Sequence, residues 1–392
     1  MKYRKDRYGN ELSQLGFGCM RFARKGTAID YGKAEQQILY AIEHGVNYFD
    51  TAYVYPGSEE CLGRILAEHG CRDRVNIATK LPQYITKSLK DAEKTFQEEL
   101  KRLRTDHVDY YLMHMFTDFS EWERLKSIGI EQWISDRKAE GSIRQIGFSF
   151  HGDTGMFLKI LNAYDWDFCQ VQYNYFDEVS QAGRDGVKAA AAKNIPVIIM
   201  EPLRGGKLVN LPVKARRALQ ESATGYSAAE LGFRWLWNQS EVTVVLSGMN
   251  SLEMVEENIR AASDAEANSF TADEHALVDT VRKCIREKEK VGCTGCRYCM
   301  PCPRGVDIPG TFHYYNLMYI EGKKTAGRVE YMMAVGLQKD PGFATKCAGC
   351  GKCEKHCPQH LPIREKLKEA DKDLRPLAFR VGARIARAVL KR

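Results

Sequence analysis

Residues 47–66 read NYFDTAYVYPGSEECLGRIL, and this stretch sets the pattern from which the fold is predicted. It opens with a strand segment, Asn47–Asp50, passes through a loop that contains Pro and Gly, and enters a helix predicted over Glu59–Glu68. Seven more strand-then-helix units occur before the cysteine-rich end of the chain. Eight such units in about 250 residues is the count and length of a (β/α)8 barrel, which is the fold that we expect.

The predicted strands are mostly apolar along their whole length, as parallel strands are when helices cover them. They are Leu15–Cys19, Asn47–Asp50, Asn76–Lys80, Tyr110–His114, Arg144–Phe150, Phe168–Asn174, Pro196–Met200 and Val242–Gly248. The predicted helices are Lys33–His44, Glu59–Glu68, Ser88–Arg104, Glu131–Glu140, Gly155–Ala163, Gly186–Lys193, Ala228–Asn238, Ser251–Ala262 and Asp273–Arg286.

A short hairpin with a Gly-Asn turn is expected before the first barrel strand. The main rival fold is a doubly wound dinucleotide-binding sheet. That fold carries a GxGxxG fingerprint after its first strand, and the chain contains no such motif. The barrel is therefore the preferred prediction.

Polar residues stand at the carboxyl ends of three successive predicted strands, where barrels of this kind carry their chemistry. Asp50, Lys80 and His114 close strands two to four, and Tyr55 lies in the loop after Asp50. Lys80 would favour the phenolate of Tyr55, and Asp50 would keep Lys80 protonated. Tyr55 could then give a proton to a carbonyl oxygen while hydride reaches the carbon, with His114 orienting the substrate.

Two cysteine runs, CTGCRYCMPCP at 293–303 and CAGCGKCEKHCP at 347–358, hold eight of the 13 cysteines. Structural zinc usually takes two CxxC pairs a dozen or more residues apart, and disulfides are disfavoured without a secretory signal. The second run matches the C-x2-C-x2-C-x3-C-P pattern of two-cluster ferredoxins. The first run is one residue shorter before its last cysteine. The spacing favours two [4Fe-4S] clusters over zinc.

Composition limits the remaining classes of protein. The N-terminus lacks the apolar segment of a signal peptide, so we expect a cytoplasmic protein, and no apolar stretch is long enough for a transmembrane segment. From Ile285 onward Lys and Arg are twice as numerous as Asp and Glu. We attribute this excess to charge balance around negative clusters, so no nucleic-acid partner is predicted. Short helices are expected at Phe312–Ile320 and Val329–Val335, and a basic amphipathic helix over 375–392.

The polar residues at the strand ends give the first part of the chain, residues 1–272, a resemblance to the aldo-keto reductase superfamily. The resemblance implies that Asp50, Tyr55, Lys80 and His114 are the catalytic set and that a nicotinamide cofactor lies extended over the top of the barrel. The supporting motifs are DTAxxY at 50–55, LMH at 112–114, IGFS at 146–149, PLRGG at 202–206 and EN at 257–258.

The same resemblance assigns cofactor contacts. The implied contacts are Ser149 and Gln170 at the carboxamide, Leu203 and Gly205 near the pyrophosphate, and Glu257 and Asn258 near the adenine. Several positions depart from the family. Phe150 replaces a common Asn, and Met200 replaces the aromatic residue that stacks on the nicotinamide. Gly248 and Met254 stand where Lys and Arg commonly clamp the 2′-phosphate, so NADH and NADPH both stay possible.

The whole chain also resembles aldo-keto reductases fused to a C-terminal two-[4Fe-4S] ferredoxin-type domain, here residues 285–392. In two-cluster ferredoxins the fourth cysteine of each run crosses to the other cluster. By that analogy the two ligand sets are Cys293, Cys296, Cys299 and Cys357 for one cluster, and Cys347, Cys350, Cys353 and Cys302 for the other.

We therefore predict an iron–sulfur oxidoreductase that uses NAD(P)H to reduce a small carbonyl compound, or oxidises the alcohol, with Tyr55 as general acid. The clusters would exchange electrons with a redox partner. The alternative is a non-catalytic electron carrier or redox sensor with a vestigial nucleotide-binding barrel. Phe150, Met200 and the missing phosphate clamp favour the alternative, whereas the intact set of four barrel residues disfavours it. Substrate choice is expected to depend on loop shapes, including Asp118–Gly129.

Overall fold

The computed structural model describes residues 1–293, 295, 297–357, 359–377 and 379–380. Its strands are β1 (Tyr3–Lys5), β2 (Glu11–Ser13), β3 (Leu15–Gly18), β4 (Arg24–Lys25), β5 (Ala28–Ile29), β6 (Tyr48–Asp50), β7 (Asn76–Leu81), β8 (Val108–Phe116), β9 (Ile143–Phe150), β10 (Phe168–Gln172), β11 (Val197–Met200) and β12 (Val242–Ser247). Its first eleven α-helices are α1 (Tyr31–Glu43), α2 (Ser58–Glu68), α3 (Leu89–Leu103), α4 (Phe119–Ser127), α5 (Ile130–Ala139), α6 (Thr154–Leu161), α7 (Gly183–Ala192), α8 (Val213–Glu221), α9 (Ala228–Trp237), α10 (Leu252–Asp264) and α11 (Ala272–Arg286). The cysteine-rich part contains α12 (Ile308–Ile320), α13 (Lys324–Tyr331), a π-helical segment (Met332–Gly336), α14 (Lys352–Lys355) and α15 (Ile363–Leu374). Within this part of the chain no helix is both long and apolar enough to cross a membrane.

Eight parallel strands close into one barrel in the order β10-β11-β12-β3-β6-β7-β8-β9. The predicted (β/α)8 fold is therefore confirmed, and each predicted strand end lies within two residues of the observed one. Parallel strands run in one direction around the barrel. The carboxyl ends of β6, β7 and β8 therefore meet at one mouth, which places Asp50, Lys80 and His114 side by side.

Aromatic side chains fill the interior of the barrel. The ring of Tyr110 meets those of Tyr48 and Phe168, each at a centroid distance of 5.1 Å. The predicted N-terminal hairpin is present as the antiparallel pair β1–β2, with Leu12 fully buried. Asp6, from the turn of this hairpin, accepts a hydrogen bond from the Tyr110 hydroxyl at 2.8 Å. The hairpin thus closes the end of the barrel opposite the strand carboxyl termini.

Sequence patterns missed four helices. The stretch Asp118–Gly129, which we expected to be a loop, contains α4, and the Asp118 side chain caps its first turn. Only Trp122 and Leu125 of α4 are buried, so the apolar period is too short to recognise. Helices α8, α14 and α15 were also not predicted. The helix expected at Val329–Val335 is divided between α13 and the π-helical segment, and most of the helix expected over 375–392 lies outside the described residues.

Helix α12 supports the segment that leads into the first cysteine run. The side-chain oxygen of Asn316 accepts hydrogen bonds from the backbone N–H groups of Lys290 and Val291, each at 2.9 Å. Its amide nitrogen donates to the Val291 carbonyl at 2.7 Å. Three hydrogen bonds from one buried side chain therefore hold the backbone two residues before Cys293. Helix α11 joins the two parts of the chain, and the predicted domain limits at its two ends stay a prediction.

A group of charged side chains joins the barrel to the cysteine-rich part, and we call it the Arg204 cluster: Arg204, Lys207, Asp177, Glu321 and Glu330. The Arg204 guanidinium lies 2.6 Å from the Asp177 carboxylate and 2.7 Å from the Glu321 carboxylate. The Lys207 ammonium lies 2.7 Å from both Glu321 and Glu330. The Arg204 side chain is 10% exposed, so its charge depends on these partners rather than on water.

We predict that Arg204→Met lowers the free energy of unfolding by about 3 to 5 kcal/mol, because it removes the closest cation from the buried Asp177 carboxylate and one of the two cations that bind Glu321. The matched control is Arg217→Met. The Arg217 side chain is 77% exposed and forms a helical pair with Glu221, so its loss should cost less than about 0.5 kcal/mol. Denaturant unfolding, followed by fluorescence and by cluster absorbance, measures both. Equal stability of the two variants would contradict the structural role of the Arg204 cluster.

Candidate active site and cluster sites

The predicted barrel set assembles around a buried ion pair. The Lys80 ammonium lies 2.8 and 2.7 Å from the two carboxylate oxygens of Asp50, and it also donates to the Thr51 carbonyl at 2.6 Å. Lys80 is 1% exposed. Burial by itself lowers the pKa of Lys80, but Asp50 and, after it, Tyr55 act in the opposite direction, and the pKa lies above its usual value. Lys80 is therefore a fixed cation at the base of the mouth.

Tyr55 and His114 lie above this cation. The Lys80 ammonium is 5.2 Å from the centroid of the Tyr55 ring. The Tyr55 and His114 rings meet edge to face, with centroids 6.2 Å apart. The two side chains therefore border the same space at the mouth, next to Lys80.

The protonation states follow from burial and charge. Burial raises the pKa of Tyr55, with Lys80 opposing the rise, so the phenol is protonated at neutral pH. Burial, and after it the charge of Lys80, lowers the pKa of His114 to about 3, so the imidazole is neutral. Its Nδ1 is buried and has no hydrogen-bond partner among the described residues. Beside the Lys80 cation, the mouth thus carries the protonated phenol of Tyr55 and the neutral imidazole of His114.

The two residues assigned to the nicotinamide carboxamide lie beside each other. Ser149 and Gln170 are register partners on the neighbouring strands β9 and β10. The Ser149 hydroxyl accepts from the Met115 N–H at 2.8 Å, which leaves its own hydrogen to donate. Gln170 donates to Asp50, and its side-chain oxygen is buried with no partner in the described part of the chain. A donor and an acceptor therefore face one space, which fits a primary amide such as a nicotinamide carboxamide.

The residues assigned to the rest of the cofactor lie in the loops after β11 and β12. Leu203 precedes a tight turn in which Gly205 has a positive φ of 65°. Asn258 is buried on α10 and donates to the Ser247 hydroxyl at 3.0 Å. Glu257, its neighbour on the helix, is exposed. These positions follow two strands, β11 and β12, that are neighbours in the barrel.

Arg21, which sequence reasoning did not single out, lies across this rim. A Cβ atom added at Gly248 would lie 2.9 Å from the Arg21 Cδ, and one added at Gly205 would lie 3.0 Å from its Nη2. Arg21 is exposed and makes no hydrogen bond or ion pair with the described residues. The absence of side chains at the two glycines therefore makes room for a cation. Its position after the first barrel strand was the only signal in the sequence.

Two departures from the family have structural explanations. Phe150 is fully buried and packs edge to face on Phe157 with a centroid distance of 5.3 Å, so it belongs to the core. Met200 is partly buried against the apolar interior of the barrel. Neither Phe150 nor Met200 displaces Asp50 or Lys80 from the mouth of the barrel.

A cavity of about 360 Å³ in the C-terminal part is lined by cysteines of both runs. They are Cys299, Cys302, Cys347, Cys350 and Cys353. Four of the five form the second predicted ligand set, so its members from both runs meet at one cavity. Among the described side chains, no group of three His, Cys, Asp or Glu residues is arranged so that it could bind a single metal ion.

The remaining predicted ligands are placed in part. Cys293 lines a separate cavity of about 70 Å³ beside the loop that follows β10. In the same region a Cβ atom at Gly295 would overlap the Val179 side chain, so the first run packs directly on the barrel. Cys357 is half-buried, and Cys296 lies outside the described residues.

Comparison with known sequences identifies both parts of the chain. The profile of the aldo/keto reductase family matches residues 14–283, and that of a 4Fe-4S dicluster domain matches residues 292–361. The chain belongs to the aldo/keto reductase family and carries a C-terminal 4Fe-4S dicluster domain. It is therefore an NAD(P)-dependent oxidoreductase, and the dicluster domain supports iron–sulfur clusters as its metal centres.

Individual relatives agree with this assignment. L-galactose dehydrogenase of Arabidopsis thaliana is 26% identical over 71% of this chain and 93% of its own length. The uncharacterized oxidoreductase YqkF of Bacillus subtilis is 26% identical over 64% of this chain and 88% of its own. The aldo-keto reductase AKR11C1 of Bacillus halodurans, in its holo form, superposes with a TM-score of 0.60 at 24% identity, covering 72% of this chain and 96% of that one. This last similarity shows the shared fold.

We predict that the second cluster takes its fourth ligand from the first run. The double variant Cys302→Ala/Cys353→Ala should then lose one cluster and keep the other, because both residues bind the same cluster. The double variant Cys347→Ala/Cys353→Ala removes two ligands of one cluster under any pairing and supplies the reference. Cys284→Ala, outside both runs, should keep both clusters.

Iron and acid-labile sulfide per chain, measured on anaerobically purified protein, distinguish the pairings. Equal iron in the two double variants supports crossed ligation. Loss of both clusters from Cys302→Ala/Cys353→Ala alone would mean that each run binds its own cluster.

Proposed function

We propose that this protein reduces a small carbonyl compound with NAD(P)H, or oxidises the corresponding alcohol, and that Tyr55 is the general acid. The observation that carries the proposal is the Lys80–Asp50 ion pair beside the Tyr55 ring, with the Lys80 ammonium 5.2 Å from the ring centroid. A phenol is a poor acid at neutral pH unless a cation stabilises the phenolate that it leaves. The buried Lys80 supplies that cation at a fixed position.

Each residue of the set has a separate task. Tyr55 gives its proton to the carbonyl oxygen as the carbon accepts hydride. Lys80 stabilises the resulting phenolate, and Asp50 keeps Lys80 charged and oriented. His114 is neutral and donates a hydrogen bond to the same carbonyl oxygen, which positions the carbonyl without competing as an acid. A hydrogen bond from a neutral imidazole suits this role because no second charge is introduced beside Lys80.

A bound nicotinamide nucleotide would supply or accept the hydride. Ser149 and Gln170 would hold its carboxamide, since one offers a donor and the other a buried acceptor. Leu203 and Gly205 would contact the pyrophosphate, and Glu257 and Asn258 the adenine end. The positions at which relatives clamp a 2′-phosphate are Gly248 and Met254 in this chain, so Arg21 is the cation that we assign to the phosphates.

The clusters are proposed to exchange single electrons with a separate redox partner. Hydride transfer moves two electrons at once, whereas each cluster moves one, so the two parts of the chain need not share a reaction. Cys350 is exposed, as are Arg304 and Lys352, which line the same cavity. A rim of cations around an accessible cluster favours a small electron carrier with an acidic face.

Replacement of Tyr55 tests the carbonyl reaction. Tyr55→Phe should lower kcat for carbonyl reduction by about 100- to 10,000-fold with little change in nucleotide affinity, because only the proton donor is lost. Tyr84→Phe is the control, since the Tyr84 ring lies 6.4 Å from that of His114 at the same mouth. In the unmodified protein the reduction rate should fall only at high pH, because burial raises the pKa of Tyr55. Full activity in Tyr55→Phe would refute the assignment.

Replacement of Arg21 tests the cofactor assignment. Arg21→Ala should weaken NADH and NADPH to the same degree, by about tenfold or more, because a pyrophosphate contact is common to both. Lys25→Ala removes a cation from the same loop and should leave both affinities unchanged. Quenching of protein fluorescence on titration gives the affinities without turnover. A loss confined to NADPH would instead assign Arg21 to the 2′-phosphate.

A further inference from the structure

The loop of residues 51–57, between β6 and α2, carries Tyr55, and we call it the Tyr55 loop. It is bound from two sides. On the inner side, the Lys80 ammonium donates to the first carbonyl of the loop at 2.6 Å. On the outer side, the Arg102 guanidinium donates to the Tyr53 carbonyl at 3.2 Å. Since Arg102 belongs to the last turn of α3, the loop is bound by a helix as well as by the barrel.

The contact between Arg102 and the loop includes the side chain of Tyr53. The guanidinium carbon lies over the Tyr53 ring, 4.4 Å from its centroid. A cation at this distance is attracted to the face of an aromatic ring, and a guanidinium can stack and donate hydrogen bonds at the same time. One arginine thus binds both the carbonyl and the ring of a loop residue that lies two positions before Tyr55.

Glu59 fixes the position of Arg102. Its carboxylate, whose side chain is only 1% exposed, lies 3.2 Å from the Arg102 guanidinium. The other carboxylate oxygen accepts a hydrogen bond from the Thr79 hydroxyl at 2.6 Å. Thr79 precedes Lys80 on β7, and successive side chains of a strand point to opposite faces. The strand therefore carries the proposed catalytic cation on its inner face and the anchor of Glu59 on its outer face.

Helix α2, which follows the loop, packs directly on α3 at the level of Arg102. A Cβ atom added at Gly63 of α2 would lie 2.4 Å from the Arg102 carbonyl oxygen, so the two helix backbones are in contact. The absence of a side chain at Gly63 allows this close approach. It brings an arginine of α3 within reach of the loop that precedes α2.

Arg102 also has contacts that would serve stability alone. Its Nε lies 3.3 Å from the Glu60 carboxylate and 3.0 Å from that of Glu98. The side chains of Glu60 and Glu98 are 53% and 40% exposed, so such pairs contribute little. The nitrogen Nη1 binds the buried Glu59 and the Tyr53 carbonyl together. The buried contact of Arg102 is therefore the one that directs the guanidinium toward the loop.

We propose that Arg102 is a positioning residue for the proton transfer and that Glu59 keeps it in place. This inference rests on the function proposed above. Arg102 lies on the outer side of the barrel and stabilises one conformation of the Tyr55 loop, so the phenol stays beside the Lys80 ammonium. A displacement of about 1 Å at a reacting group can lower a rate about 100-fold. The reaction itself is unchanged: NAD(P)H gives hydride to the carbonyl carbon, and Tyr55 gives its proton to the oxygen.

Amide hydrogen exchange on the cluster-loaded protein tests the contact without turnover. In Arg102→Met, a peptide spanning residues 51–58 should exchange at least about tenfold faster, because the loop loses its outer contact. The matched control is Arg137→Met. The Arg137 side chain is 20% exposed, against 22% for Arg102, and it joins α5 to α3 through Glu93. The control should leave exchange of this peptide unchanged. Unchanged exchange in Arg102→Met, or equally faster exchange in both variants, would overturn the proposal.

A double-mutant cycle tests the link to Tyr55, with methylglyoxal, benzaldehyde and cyclohexanone as carbonyl probes. Arg102→Met should lower kcat about tenfold or more and leave nucleotide affinity unchanged. In the Tyr55→Phe background the same change should lower the residual rate less than about twofold, because no proton donor is left to position. A general loss of stability would instead lower both rates by the same factor. Equal losses in the two backgrounds would therefore refute the positioning role.

The reaction and the positioning role are scored separately. If the unmodified protein reduces none of the three probes and exchange is faster in Arg102→Met alone, the proposed function is refuted and the contact of Arg102 with the loop is supported. Reduction that Tyr55→Phe lowers and Arg102→Met leaves intact would retain the function and refute the role of Arg102.

Discussion

The guanidinium of Arg204 connects the two halves of this protein, because it binds Asp177 of the barrel and Glu321 of the dicluster domain at the same time. Arg204 belongs to the loop after β11, beside Gly205. Its side chain nevertheless donates a hydrogen bond to Glu321, which lies 117 positions later in the chain. Taking such a cation out of water is costly unless its partners are held in place. The loop assigned to the nucleotide phosphates and the helices of the dicluster domain therefore have one relative position.

That fixed position has consequences on both sides of the interface. On the barrel side, the dicluster domain encloses space above Met115 and Gln172 that an isolated barrel would leave open to solvent. On the other side, the first cysteine run packs against Val179 in the loop after β10. The second cysteine cavity, with the exposed Cys350, faces outward. One cysteine cavity thus lies beside the barrel and the other, with Cys350, faces solvent.

Two kinds of electron chemistry are held in one chain without a visible link between them. In the proposed reaction, the ion pair of Lys80 and Asp50 prepares Tyr55 for proton transfer alongside a two-electron step. The cysteine cavities prepare one-electron centres. Met333 and Leu337 of the dicluster domain line one cavity together with Met115 and Gln172 of the barrel, so the two domains share a wall near the mouth.

The sequence by itself determined the barrel, the set of four residues at its mouth and the cluster class, because each depends on local order: strand–helix period, position at a strand end, and cysteine spacing. Helix α4 was not predicted because its two buried residues do not produce a recognisable helical period of apolar positions. Only the tertiary structure decided that Arg204 binds the second domain, that Arg21 occupies the space left by Gly205 and Gly248, and that both domains line one pocket. Those contacts join residues far apart in the chain, and neither composition nor spacing records which distant side chains a fold brings together.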